Sequence, residues 1–308
     1  MAAAFLAGCA HQPVDSPSPS LTEPDKFASL PETSELTRVP FFPQETDQCG
    51  PAALAMVLTY EGMPELPSQL TPQVYTPALK GSLELDLIGA IRKAGMIPYR
   101  PPGHLYALLQ EVASGHPVVL LQDVGDWSTQ WHYAVLVGYH LRHQELILRS
   151  GSHQHLVISF DAFERSWKTG GHWALLAIPP EVIPVSTDEE NYLPQLAETE
   201  QVRPDIARTA YLAALNPWPH SLAAQMGLGN LAFANHDYNN AALWFERAAA
   251  DHPESGDAYN NLAETLIKLQ QWEPARVAIN KALGLGGEHE PIYQSTWKEW
   301  KNEHPGEK

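Results

Sequence analysis

The stretch Gln44-Glu45-Thr46-Asp47-Gln48-Cys49-Gly50-Pro51-Ala52-Ala53-Leu54-Ala55-Met56-Val57-Leu58 decides how this chain is read. Pro51 suits the first turn of a helix, where its missing N–H costs nothing. The helix predicted over about 50–61 is apolar around most of its girth, so it belongs inside a core, and Gly62 ends it. Cys49 then stands at a helix start, where unpaired N–H groups and the helix dipole favour thiolate over thiol. A thiolate in such a place needs a base to be catalytically useful, and His is the usual one.

Downstream, residues 84–94 form an amphipathic helix closed by Gly95, and Leu105–Ala113 a second one stopped by Gly115. The period then changes. Val118–Leu121, His132–Tyr139, Glu145–Leu148, Leu156–Ser159 and Trp173–Ile178 read as strands, with a helix at about Asp161–Trp167 between the last two. Helices first and a strand run afterwards is an α+β pattern. Pro179-Pro180, Pro184 and the polar run Ser186–Glu190 mark a linker over 181–190.

From Pro204 the chain is helical and repeats with a spacing of 34 residues. That shift superposes Leu228 on Leu262, Gly229 on Ala263, Ala241 on Ala275, Phe245 on Ile279 and Ala248 on Ala282. Small residues let paired helices approach, and large ones fill the space between neighbouring pairs. The pattern resembles the tetratricopeptide repeat, with two full repeats, a degenerate one before them and a capping helix at about Pro291–Lys301. The expected fold class is an α+β domain followed by an all-α tetratricopeptide-repeat domain. The boundaries are 38–180 for the first and 191–308 for the second.

Residues 38–178 resemble the papain-like fold, most closely the bacteriocin-leader peptidases that process double-glycine leaders. That family has a Gln shortly before Cys-Gly-Pro and a His-Tyr or His-Phe opening a later strand. Trp131-His132-Tyr133-Ala134-Val135 supplies the second motif. The resemblance implies Cys49 as nucleophile, His132 as general base and then acid, and Gln44 beside the Cys49 N–H in an oxyanion hole. Gln44 lies five residues before Cys49 where the family usually has six, so Gln48 stays open as the donor. The family also expects an Asp or Asn at the end of the strand after the His. Here that segment reads Leu146-Ile147-Leu148-Arg149-Ser150-Gly151. Ser150 can accept a hydrogen bond from the imidazole but brings no charge to stabilise imidazolium.

Upstream, Leu6-Ala7-Gly8-Cys9 resembles the lipobox of bacterial lipoproteins, which implies acylation of Cys9. Ala10, not being Asp, implies an outer-membrane address facing the periplasm. No Lys or Arg precedes the short apolar stretch, which a start codon assigned too far downstream would explain. Residues 1–9 are read as the lipoprotein-type signal and 10–37, with five prolines in 12–32, as an extended tether.

The remaining features exclude classes. The net charge of −17, split as −7 in residues 1–180 and −10 in 181–308, argues against nucleic acid or anionic lipid as a partner. The acyl chain implied at Cys9 is the expected membrane contact. Two cysteines in 308 residues exclude a disulfide scaffold and a four-Cys zinc site. His153-Gln154-His155 puts two imidazoles on one strand face with no third ligand at that spacing, so neither metal nor cofactor is expected. Trp127, Trp131, Trp167 and Trp173 read as core and groove rim.

The function expected is an exported cysteine peptidase working through an acyl-enzyme on Cys49, with repeats that recruit a protein partner or substrate. The rival is an inactive peptide-binding scaffold lipoprotein of a periplasmic complex, favoured by the missing acid. An acyl transferase using the same thioester is a third class that sequence does not separate from hydrolysis.

Overall fold

The computed structural model describes residues 27–44, 47–125 and 127–303. The Cys9 motif and the first part of the tether lie outside the described residues. The helix read from Cys49-Gly50-Pro51 is α1 (Cys49–Tyr60), and every residue from Gly50 to Leu58 is buried. It is enclosed because a sheet covers one side of it, while α2 (Pro67–Val74) and α3 (Glu84–Lys93) cover the other.

That sheet has seven strands and is antiparallel: β1 (Thr33–Glu35), β2 (Ile97–Tyr99), β3 (Val118–Asp123), β4 (Trp131–His140), β5 (Glu145–Ser150), β6 (His153–Ser159) and β7 (Ala174–Ile178). Its order is β2-β7-β3-β4-β5-β6, and β1 extends beside the far end of β4. The central strands are buried on both faces, which explains their nearly continuous apolar runs. Val119, Tyr133, Val135, Val137 and Leu175 pack toward α1, α2 and α3. Val118, Leu120, Ala134, Leu136 and Leu176 face the opposite way, onto α4 (Leu105–Ala113) and α5 (Phe160–Thr169).

The stretch 27–37, expected as the end of the tether, is instead part of this domain. Thr33, Ser34 and Glu35 pair with His140, Tyr139 and Gly138, and Phe27 meets Tyr106 edge-on at 5.8 Å. Thr-Ser-Glu carries no apolar alternation, so no local signal marks it as a strand.

The second core face continues across the predicted linker. Helix α6 (Glu189–Glu200) is capped by Asp188, whose carboxylate accepts the Asn191 N–H at 2.9 Å. It lays Tyr192, Leu193 and Leu196 into the same buried cluster as Tyr99, Leu176 and Ile178. Its Gln195 side chain accepts the Arg100 N–H at 2.8 Å and donates to the Arg100 carbonyl at 3.2 Å, as a neighbouring strand would. Helix α7 (Pro204–Ala214) adds Ile206, Ala207 and Tyr211 to that cluster.

The repeats follow as the pairs α8 (Leu222–Ala234) with α9 (Tyr238–Asp251) and α10 (Gly256–Lys268) with α11 (Trp272–Leu285), closed by α12 (Glu290–Glu303). All the positions aligned at a spacing of 34 are buried, with Gly229 against Phe245. A Cβ on Gly229 would lie 2.3 Å from that ring, so the small residue sets the helix spacing.

One buried carboxyl ties the linker to the first domain. Glu111 on α4 accepts the Ser186 N–H at 2.8 Å through one oxygen, and its other oxygen is buried without a partner among the described residues. Burial pushes this carboxyl above its ordinary value, against the opposing pull of the Ser186 hydrogen bonds and the His116 charge. Burial alone would depress His116, but the hydrogen bond and charge of Glu61, with the charge of Glu111, carry it upward. A raised carboxyl favours folding while protonated and loses that contribution as pH climbs through its folded value. Glu111→Gln keeps an acceptor for Ser186 and removes the ionisation. Its Tm should therefore exceed that of the natural chain at pH 8 by about 2–4 °C, with the gap shrinking toward pH 5. Thermal denaturation across that range checks the sign; a gap that grows on acidification would contradict it.

Candidate active site

Cys49 is the first residue of α1 and a free thiol. The helix start abuts the end of the sheet where β4 begins, and between them lies a cleft of about 840 Å³. Gln44, Cys49, His132 and Tyr133 line it. Leu79, Lys80, Ser82, Leu83 and Glu84 form the facing wall, and Trp131 lies at its edge, 52% exposed. The two motifs, 83 residues apart in Cys49 and His132, therefore share one cavity.

The helix start does not by itself make Cys49 a thiolate. Burial pushes the thiol up. The backbone N–H groups of Tyr133, Gly50 and Cys49 turn toward the sulfur and pull the other way, and Asp47 adds to the rise. This corrects the expectation drawn from the dipole: desolvation outweighs the donors that the helix supplies. Burial also lowers His132. Burial thus disfavours the charged form of both groups, and the neutral imidazole is the form able to take a proton.

The orientation of His132 comes from Ser150, whose Oγ lies 2.9 Å from Nε2. Ser150 is buried at the end of β5, the position at which the resemblance implies an Asp or Asn. That contact leaves Nδ1 as the nitrogen for proton transfer. Gln44 is clamped on both sides: Nε2 donates to the Tyr133 carbonyl at 3.1 Å, and Oε1 accepts the Gly151 N–H at 3.0 Å. Gln48, the other candidate, is turned onto α2, where its Oε1 accepts the Thr71 hydroxyl at 2.9 Å. The geometry places Gln44 in the cleft.

The facing wall escaped sequence reasoning. It belongs to a turn between α2 and α3, closed by the Thr76 N–H donating to the Gly81 carbonyl at 2.8 Å, with Lys80 at a φ of 48°. Lys80-Gly81-Ser82 is the single local hint, a turn signature with nothing to say which cleft it borders. Of the four Trp read as core and rim, Trp167 and Trp173 are core, the first donating its indole N–H to the second's carbonyl at 2.8 Å. Trp131 borders the cleft, and Trp127 is fully exposed in the β3–β4 turn. His155 approaches Glu35 at 3.5 Å. Among the described residues, no group of three His, Cys, Asp or Glu side chains is placed to hold a metal ion.

Comparison with known proteins is consistent with this domain order. Residues 36–174 match the Peptidase_C39 like family, and residues 232–295 match the tetratricopeptide repeat. Among solved structures, a protein from Bacillus anthracis described as a C39-like peptidase aligns at 19% identity with a TM-score of 0.41. That alignment covers 48% of this chain and 98% of the other. The peptidase domain of Streptococcus ComA, a bifunctional ABC transporter of a quorum-sensing pathway, aligns at 23% identity with a TM-score of 0.38, covering 46% of this chain and 99% of its own. The curated relatives are the sperm-associated antigen 1 proteins of Rattus norvegicus and Mus musculus, each 41% identical over 61 residues. Those 61 residues are 20% of this chain and 7% of either relative's length.

Proposed function

We propose that this chain, a Peptidase_C39-like domain followed by tetratricopeptide repeats, is a cysteine peptidase that cleaves peptide bonds through an acyl-enzyme on Cys49. The observation that carries this reading is the meeting of Cys49, Gln44 and a Ser150-held His132 in one cleft at the start of a buried helix. On substrate arrival, His132 takes the thiol proton and the sulfur attacks the scissile carbonyl carbon. The resulting oxyanion meets the Cys49 backbone N–H and the second hydrogen of Gln44 Nε2, the first being held by Tyr133. His132 returns the proton to the leaving amine. Water, deprotonated by the same imidazole, then hydrolyses the thioester and restores the thiol.

A preference for bonds beside small residues such as Gly-Gly follows from the family resemblance alone. The repeats would recruit the substrate or a partner protein, and acylated Cys9 would hold the chain at the periplasmic face of an outer membrane. The rival, a peptide-binding scaffold, draws support from two observations: Ser150 gives His132 no charge, and burial pushes the Cys49 thiol up. A mixture of peptides of known sequence, incubated with the protein and read by mass spectrometry, separates the two. New termini formed by the natural chain and absent with Cys49→Ala support the peptidase. Binding of peptides without new termini supports the scaffold.

A further inference from the structure

The hydroxyl of Ser82 plays no part in the reading above, yet it sits against the residue that follows the nucleophile. A Cβ built on Gly50 would lie 2.2 Å from Ser82 Oγ and 2.6 Å from Ser82 Cβ, so position 50 admits only glycine while Ser82 stays in place. The same point lies 3.6 Å from the Tyr133 ring. Gly50 and Tyr133 are two of the three residues whose N–H groups turn toward the Cys49 sulfur, Cys49 itself being the third. Ser82 thus packs beside the donors that already surround the sulfur.

Its backbone is held from two directions. The Tyr133 hydroxyl donates to the Ser82 carbonyl at 3.4 Å, and the Thr76–Gly81 bridge closes the turn behind it. The side chain lines the cleft, and Oγ is buried without a hydrogen-bond partner among the described residues. A buried hydroxyl left without a partner calls for an explanation such as a role in chemistry.

We propose that Ser82 is a positioning residue for Cys49, its hydroxyl a donor that finds its acceptor only when the sulfur becomes a thiolate. Rotation about the serine Cα–Cβ bond then turns the O–H from Gly50 toward the sulfur, adding a side-chain donor to the backbone set. The effect is differential, since a neutral thiol is a poor acceptor and a thiolate a good one. Ser82 acts through Cys49, by helping to form the nucleophile. The inference rests on the reading of Cys49 as nucleophile.

The test follows iodoacetamide alkylation of Cys49 in the full chain from pH 6 to pH 10, with peptide mapping to separate Cys49 from Cys9. The other titratable groups on the cleft are Asp47 from the turn before α1, Lys80 and Glu84 from the facing wall, and His132 and Tyr133 from β4. All of them stay unchanged across the series. Ser82→Ala should slow alkylation about tenfold at pH 7.5, moving the profile to higher pH without lowering Tm. Ser82→Thr, which keeps the hydroxyl, should restore the natural profile. An Ala profile that overlays the natural one, or a Thr variant that behaves like Ala, overturns the proposal. His132→Ala in parallel keeps the two readings apart. A natural profile indifferent to His132 sinks the peptidase reading, whereas a His132-dependent profile indifferent to Ser82 sinks this inference alone.

Discussion

His132→Ala is expected to lower peptide hydrolysis by about 10³–10⁴-fold, the largest single effect short of removing the sulfur itself. The imidazole acts twice in the proposed cycle, first on the thiol proton and then on water, so its loss slows both halves. Burial of Cys49, which raises its thiol, makes the dependence steeper. Where a Cys–His pair is already ionised, part of the work is done before substrate binds. Here burial opposes ionisation of Cys49, so moving its proton falls to His132 during the reaction. Ser150→Ala should cost far less, about tenfold, because it frees the ring without removing the base.

The pH profile follows from the direction of the His132 shift. Burial lowers this imidazole from its ordinary 6.5, so the neutral form that accepts a proton persists into more acidic solution. The acid limb of kcat/KM should therefore fall below pH 6.5, and His132→Ala should erase that limb along with the rate. Turnover of a cleaved peptide from the library, followed from pH 4.5 to pH 8, measures both. An Ala variant within tenfold of the natural rate would remove His132 from the mechanism.

What was legible in the chain was whatever repeats or clusters locally. Cys49-Gly50-Pro51 and its apolar run define α1 within one residue, and the spacing of 34 fixes the paired helices of the repeats. The elements missed are those whose signal is short or mixed. Strand β2 is three residues long, less than two alternations, and α2 carries Pro72 in its interior with its N-terminus fastened by Gln69 on the Leu66 N–H at 2.8 Å. The site was half legible for the same reason. Gln44, Cys49 and His132 announce themselves by motif, but the choice of Gln44 over Gln48 depends on α2 offering Thr71 to Gln48. The thiol's protonation state depends on everything that buries it. A helix start is a local property; desolvation is a property of the whole packing.

The sharpest gap between sequence and structure is the domain boundary, and it carries the second large effect. Composition puts a linker at 181–190, which suggests that a chain ending at Pro180 should fold alone. The packing predicts otherwise: such a chain is expected to show no cooperative unfolding transition and to aggregate. Cutting there strips Tyr192, Leu193 and Leu196 from the cluster they share with Tyr99, Leu176 and Ile178. Each fully buried apolar side chain is worth about 1.5–3 kcal/mol, so three of them contribute about 5–9 kcal/mol. A whole domain has only about 5–15 kcal/mol to lose. The cut also leaves Glu111 buried without the Ser186 N–H and opens the edge of β2, whose Arg100 end is paired by Gln195. A chain ending at Leu215 keeps α6 and α7, closes that face and should recover a sharp melt and Cys49 alkylation like that of the full chain. Calorimetry and light scattering on the two truncations decide the matter. If the shorter chain melts as cooperatively as the longer, α6 is a passenger on the first domain. If only the longer one does, α6 and α7 are part of that domain's core, and whatever pulls on the repeats also pulls on the sheet that holds His132.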